Sequence, residues 1–92
     1  MATLLTDNEI QTKLQSLSNW SQDGKTIKTT KKFDGFPSAI AFVNKLVDPA
    51  EAAGHHPDLT ISYNKVTVSL STHDAGGITQ KDFDMASQID SL

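Results

Sequence analysis

All three histidines of this 92-residue chain, His55, His56 and His73, fall within or just after Glu51-Ala-Ala-Gly-His-His-Pro-Asp-Leu-Thr-Ile-Ser-Tyr63 and its sequel Asn64-Lys-Val-Thr-Val-Ser-Leu-Ser-Thr-His73. Imidazole titrates near neutrality, so histidines gathered in one place can donate and accept protons in the same reaction. Glu51, four residues before His55, has the reach to orient an imidazole. Asp82 is a second carboxylate, though it also fills the last place of the capping box Thr79-Gln-Lys-Asp82. As a cap alone, Asp82→Asn should cost about 1 kcal/mol of stability and change little else. Three imidazoles also form a zinc-ligand set with an open fourth position. The adjacent pair His55-His56 lacks the i, i+4 spacing of a helical ligand pair, which counts against metal.

The segments between the histidines must bring them together. Leu59, Ile61 and Tyr63 alternate with Asp58, Thr60 and Ser62, and Val66, Val68 and Leu70 alternate with Thr67, Ser69 and Ser71. Both runs have the period of a half-buried strand. A tight hairpin loop at Asn64-Lys65, where asparagine tolerates positive φ, sets Tyr63 opposite Val66, Ile61 opposite Val68 and Leu59 opposite Leu70. Extended past Pro57, this register sets His56 opposite His73, with Cβ atoms about 5 Å apart. His55 has the opposite parity, but Pro57 cannot join a ladder and breaks the alternation there. The expectation is a cluster of three imidazoles at the open end of a hairpin.

The remaining chain supplies the scaffold. Thr6-Asp-Asn-Glu9 fits a capping box before Ile10, Leu14 and Leu17, which predicts a helix from about Asp7 to Leu17. A short strand around Asn19-Trp20-Ser21, a turn at Gln22-Asp23-Gly24-Lys25 and a longer strand from Thr26 to Phe33 follow. Pro37 suits the first turn of a second helix carrying Ile40, Phe42, Val43, Leu46 and Val47. Asp48-Pro49 then kinks that helix or restarts it with Asp48 as cap, and Gly54 is its left-handed stop. Beyond Ala75-Gly76-Gly77, the residues Phe83, Ala86, Ile89 and Leu92 give a last helix its apolar stripe. The order α-β-β-α-β-β-α predicts one α+β domain over residues 1–92, with three helices on one face of a four-stranded, mainly antiparallel sheet.

Composition narrows the function. A formal net charge of -3 with no lysine-rich run lacks the footprint of a direct nucleic-acid binder. There is no cysteine, which excludes disulfides, thiolate catalysis and cysteine-built zinc sites. No segment approaches the ~20 apolar residues of a membrane span, so a cytoplasmic protein without membrane attachment is expected. A domain this small buries only roughly 60 to 65% of its unfolded surface, so self-association is expected to add burial. Trp20, the sole tryptophan, is usual core material but beside a short edge strand is a candidate platform for a flat heterocycle.

The pattern Glu51-x3-His55-His56-Pro57-x5-Tyr63-x9-His73-x8-Asp82 resembles the signature of the pterin-4a-carbinolamine dehydratases, and the likeness covers nearly the whole chain. The resemblance implies dehydration of a 4a-hydroxytetrahydropterin such as 4a-hydroxytetrahydrobiopterin to the quinonoid dihydropterin, in recycling the cofactor of aromatic amino acid hydroxylases. It implies no metal or redox cofactor. His55, His56 and His73 would be the catalytic histidines, with His55 and His73 moving protons. Trp20, Glu51, Pro57, Thr72, Asp74, Ala75 and Asp82 would complete the pterin site, Glu51 or Asp82 orienting an imidazole. A homodimer or homotetramer is implied as well. Three positions depart from the animal pattern: Leu59 stands in place of a bulky aromatic, Ala75 in place of a cysteine, and Asp48-Pro49 interrupts a continuous helix. The competing reading is a protein-interaction module, because animal members also act as dimerisation cofactors of a homeodomain transcription factor and divergent members assist assembly.

Overall fold

The computed structural model describes residues 3–92. The first helix, α1 (Asp7–Leu14), begins at the expected capping box: the Thr6 hydroxyl accepts from the Glu9 amide at 3.2 Å, and the Glu9 carboxylate accepts from the Thr6 amide at 2.8 Å. That backbone hydrogen bond holds the Glu9 carboxyl below its usual range. Leu17 lies beyond the helix in a turn, where the Trp20 amide donates to its carbonyl. Strands β1 (Ser21–Asp23) and β2 (Thr26–Lys32) form a hairpin about Gly24, whose φ of 61° suits a residue without a Cβ.

The middle helix comes in two pieces, α2 (Phe36–Lys45) and α3 (Val47–Ala53). The restart is capped by Leu46 and not, as expected, by Asp48. The reason is local: the Ala50 amide closes the first turn on the Leu46 carbonyl, so Pro49 occupies a first-turn position that needs no amide donor. Gly54 ends α3 at φ 59°, and the His55 amide donates back to the Ala50 carbonyl at 3.1 Å. The helix stop thus fixes the backbone that carries the first histidine.

Strands β3 (Asp58–Ser62) and β4 (Lys65–Leu70) complete an antiparallel sheet of order β1-β2-β4-β3. The expected hairpin register is corrected. Its loop is Tyr63-Asn64, so Ile61 faces Val66 and Leu59 faces Val68. Tyr63 takes the positive φ, 53°, because Asn64 is held one place later: its amide side chain donates to the Phe33 carbonyl, and its own carbonyl accepts from the Phe33 amide. The slip shifts partners by two places and leaves each side chain on its expected face.

Ile27 of β2 and Val66, Val68 and Leu70 of β4 are wholly buried against Ile10, Ala39, Phe42 and the final helix α4 (Gln80–Asp90). Each such aliphatic side chain contributes about 1.5–3 kcal/mol of burial. Helix α4 presents Phe83, Met85, Ala86 and Ile89 to this core, whereas Leu92, expected on the same stripe, lies past the helix end and is 45% exposed. Among the described residues no helix is long and apolar enough to cross a membrane.

Candidate active site

The pocket forms where three chain segments meet at one end of the sheet. The exit from α3 supplies Gly54, His55, His56 and Pro57; the chain leaving β4 supplies Ser71, Thr72, His73 and Asp74; Lys81 comes from the first turn of α4. The pocket encloses about 300 Å³. His56 and His73 do not face each other across the hairpin, since β3 begins only at Asp58 and β4 ends at Leu70. The Thr72 amide instead pairs with Gly77, and His73–Ala75 form a 3₁₀ turn closed by Gly76 at φ 80°. The three imidazoles converge through the loops beyond the ladder.

Each histidine has a different setting. His55 is mostly buried, and its Nε2 lies 2.6 Å from Oδ1 of Asp82, a carboxylate with no exposed surface. Oδ2 of Asp82 accepts from the Thr79 amide at 2.9 Å and the Thr72 hydroxyl at 3.0 Å. A carboxylate surrounded by donors takes the His55 Nε2–H, which leaves Nδ1 as the basic nitrogen. Among the described residues every buried side-chain nitrogen and oxygen has a partner and Nδ1 has none, so Nδ1 is not sealed in the interior, and His55 is one of the residues that line the pocket. His56 Nε2 lies 2.5 Å from Glu51 Oε2, but both side chains are well exposed, so the contact orients the ring more than it stabilises the fold. His73 is exposed at the start of its 3₁₀ turn, and no side chain among the described residues holds its ring.

The other expected site residues divide. Pro57 and Asp74 line the pocket; Thr72 lines it too, with its hydroxyl turned inward to Asp82. Glu51 and Asp82 stand behind the imidazoles, each orienting a different one. Ala75 does not reach the lining. Trp20 is a correction: its ring is 5% exposed in the hydrophobic core, and its Nε1–H donates to Asp90 at 3.0 Å, so it offers this pocket no stacking face. A tryptophan buries a large apolar surface once its single donor is satisfied, and Asp90 satisfies it. Lys81, Ser71 and Asp58 were not anticipated, although the capping box already placed Lys81 beside Asp82. Among the described residues no three His, Asp or Glu side chains converge as metal ligands, since His55 and His56 turn their Nε2 atoms toward separate carboxylates.

Comparison with known proteins agrees over the full length. The family model described as pterin 4 alpha carbinolamine dehydratase matches residues 3–92. A Nostoc protein provisionally named pterin-4-alpha-carbinolamine dehydratase is 62% identical, the match covering 100% of this chain and 99% of the relative. A Roseiflexus protein of the same provisional name is 56% identical with the same coverage. Among solved structures, a Brucella melitensis protein described as a transcriptional coactivator/pterin dehydratase superposes with a TM-score of 0.90 at 32% identity, covering 95% of both chains. A pterin dehydratase-like protein identified as a RuBisCO assembly factor of the alpha-carboxysome gives a TM-score of 0.67 at 21% identity over 79% of this chain and 87% of its own, a likeness of fold.

Proposed function

Because this chain belongs to the pterin-4a-carbinolamine dehydratase family, we propose that it removes water from a 4a-hydroxytetrahydropterin to give the quinonoid dihydropterin, its histidines moving the protons. Hydroxide is a poor leaving group and leaves as water once a proton is supplied; loss of the N5 proton then lets the C4a=N5 bond form. His55 suits the base role, because its ring lines the pocket with Nδ1 left unpartnered among the described residues, and the imidazolium formed there keeps the buried Asp82 as partner. His73 suits the acid role, since its exposed ring exchanges protons with solvent after delivering one to the hydroxyl. One proton is taken and one given, so the exchange balances. His56, oriented by Glu51, binds the heterocycle and assists. The observation that carries this reading is the buried Asp82–His55 pair behind a pocket lined by all three imidazoles.

The direct test generates a 4a-hydroxytetrahydropterin in a stopped-flow cell and follows its dehydration by absorbance. Acceleration by the protein, unchanged after EDTA treatment, is expected. A rate equal to the uncatalysed one would remove the proposal, and activity lost to EDTA and restored by zinc would replace proton transfer with metal chemistry.

A second property belongs to the same reading. Strand β3 is a sheet edge exposed along its whole length, and Leu59 and Ile61 remain 36% and 40% exposed although their β4 partners Val68 and Val66 are fully buried. Such an edge invites a second copy of the chain. Light scattering is expected to show at least a dimer of the 10.0 kDa chain, and Ile61→Lys to shift it toward monomer. A wild-type monomer at micromolar concentration would refute self-association.

A further inference from the structure

We propose that Thr72 and Thr79 are positioning residues, whose hydroxyls form a one-way hydrogen-bond chain that locks the Asp82 carboxylate and, through it, the tautomer of His55. Thr72 Oγ1 lies 3.0 Å from Asp82 Oδ2 and 2.7 Å from Thr79 Oγ1. A hydroxyl has one hydrogen, and an ionised carboxylate can only accept, so the Thr72 hydrogen goes to Asp82. Thr72 therefore cannot donate to Thr79, and the Thr79 hydrogen must point at Thr72. The Thr79 oxygen in turn accepts from the Lys81 amide at 3.2 Å, which fixes its rotation from the other side. Thr72 and Thr79 are 6% and 1% exposed, so water does not compete for these bonds. The chain of donors runs from Thr79 to Thr72 to Oδ2, and Oδ1 is left with one donor to find, His55 Nε2–H.

A packing role alone does not account for Thr72. Its backbone organises the turn by itself: the amide donates to the Gly77 carbonyl, and the carbonyl accepts from the amides of Ala75, Gly76 and Gly77. The hydroxyl takes no part in that turn, and among the described residues it hydrogen-bonds only with Thr79 and Asp82. Thr79 is less clean, because its hydroxyl also caps α4. Thr72→Val, which keeps the β-branched shape and removes the hydroxyl, is therefore the informative change.

The proposal rests on the reading of His55 as a proton-transfer group for its kinetic part but not for its structural part, and the experiment separates the two. Long-range proton–nitrogen correlation spectra of ¹⁵N-histidine-labelled protein report which ring nitrogen of His55 carries the proton. In the neutral wild type this is expected to be Nε2. In Thr72→Val, Oδ2 keeps only the Thr79 amide and the carboxylate is freer to turn away from the ring, so the part of the population that loses the Nε2–H···Oδ1 bond is expected to show the Nδ1–H form; Thr72→Ser should return the wild-type pattern. In the stopped-flow assay Thr72→Val should lower kcat about 10- to 100-fold, as loss of an outer-shell orienting partner does elsewhere, with KM little changed and Thr72→Ser restoring the rate. A tautomer shift in a protein without dehydration activity would uphold the positioning chain while removing the proposed reaction. A wild-type His55 protonated at Nδ1, or a Thr72→Val protein with unchanged His55 signals, would overturn the chain whatever the activity.

Discussion

Replacing His55 or His73 with alanine is expected to lower kcat for dehydration by ~10² to 10⁴, the usual contribution of a general acid or base. The two variants should part in stability. The exposed His73 anchors nothing among the described residues, so His73→Ala should stay within ~0.5 kcal/mol of wild type in urea denaturation. His55→Ala strips the buried Asp82 of one of its donors and should cost about 1–3 kcal/mol. His56→Ala, which removes the ring held by Glu51, should raise KM and lower kcat. Because the residues act as a unit, the double variant His55→Ala/His73→Ala should lose less than the product of the single losses. Three folded single variants with wild-type rates would make the cluster structural and end the catalytic proposal.

These expectations draw on features that were legible in the sequence to different degrees. The capping boxes at Thr6 and Thr79 and the stop at Gly54 were readable because each is decided by residues within one helical turn. The strand faces were readable because a period of two survives any even shift of register. The register itself was not: local preference puts asparagine at the first loop position, whereas hydrogen bonds exchanged with Phe33, far off in sequence, hold Asn64 at the second and leave Tyr63 with the positive φ. Trp20 failed for a similar reason, since its partner Asp90 lies at the far end of the chain. Convergence of the histidines was expected by the wrong route. The loops beyond the ladder bring them together, and loop geometry is set by turns such as the one that Thr72 closes with Gly77.

Asp82 shows how a complete local explanation can hide a second role, and it carries the other large effect. The capping box is present, with the Asp82 carboxylate accepting from the Thr79 amide, so the cap expectation of about 1 kcal/mol for Asp82→Asn is sound as far as it goes. The same carboxylate accepts from Thr72 and His55, the latter 27 residues away. Asparagine keeps the shape but supplies one acceptor oxygen and one NH₂ group, where the pocket wall requires two acceptors. If the amide oxygen stays with the Thr79 amide and the Thr72 hydroxyl, the NH₂ faces His55 and forces its proton onto Nδ1, the nitrogen needed as base. If the amide turns over, a donor meets the donors of the cap. Asp82→Asn is therefore expected to lower kcat by ~10³ to 10⁴, comparable with the wrong-tautomer loss seen when a triad aspartate is changed to asparagine in a serine protease, and to cost about 1–3 kcal/mol of stability from mismatched buried groups. Urea denaturation and stopped-flow kinetics on the same preparation separate the two effects. A variant that loses about 1 kcal/mol and keeps its kcat would show that Asp82 caps α4 and does nothing more.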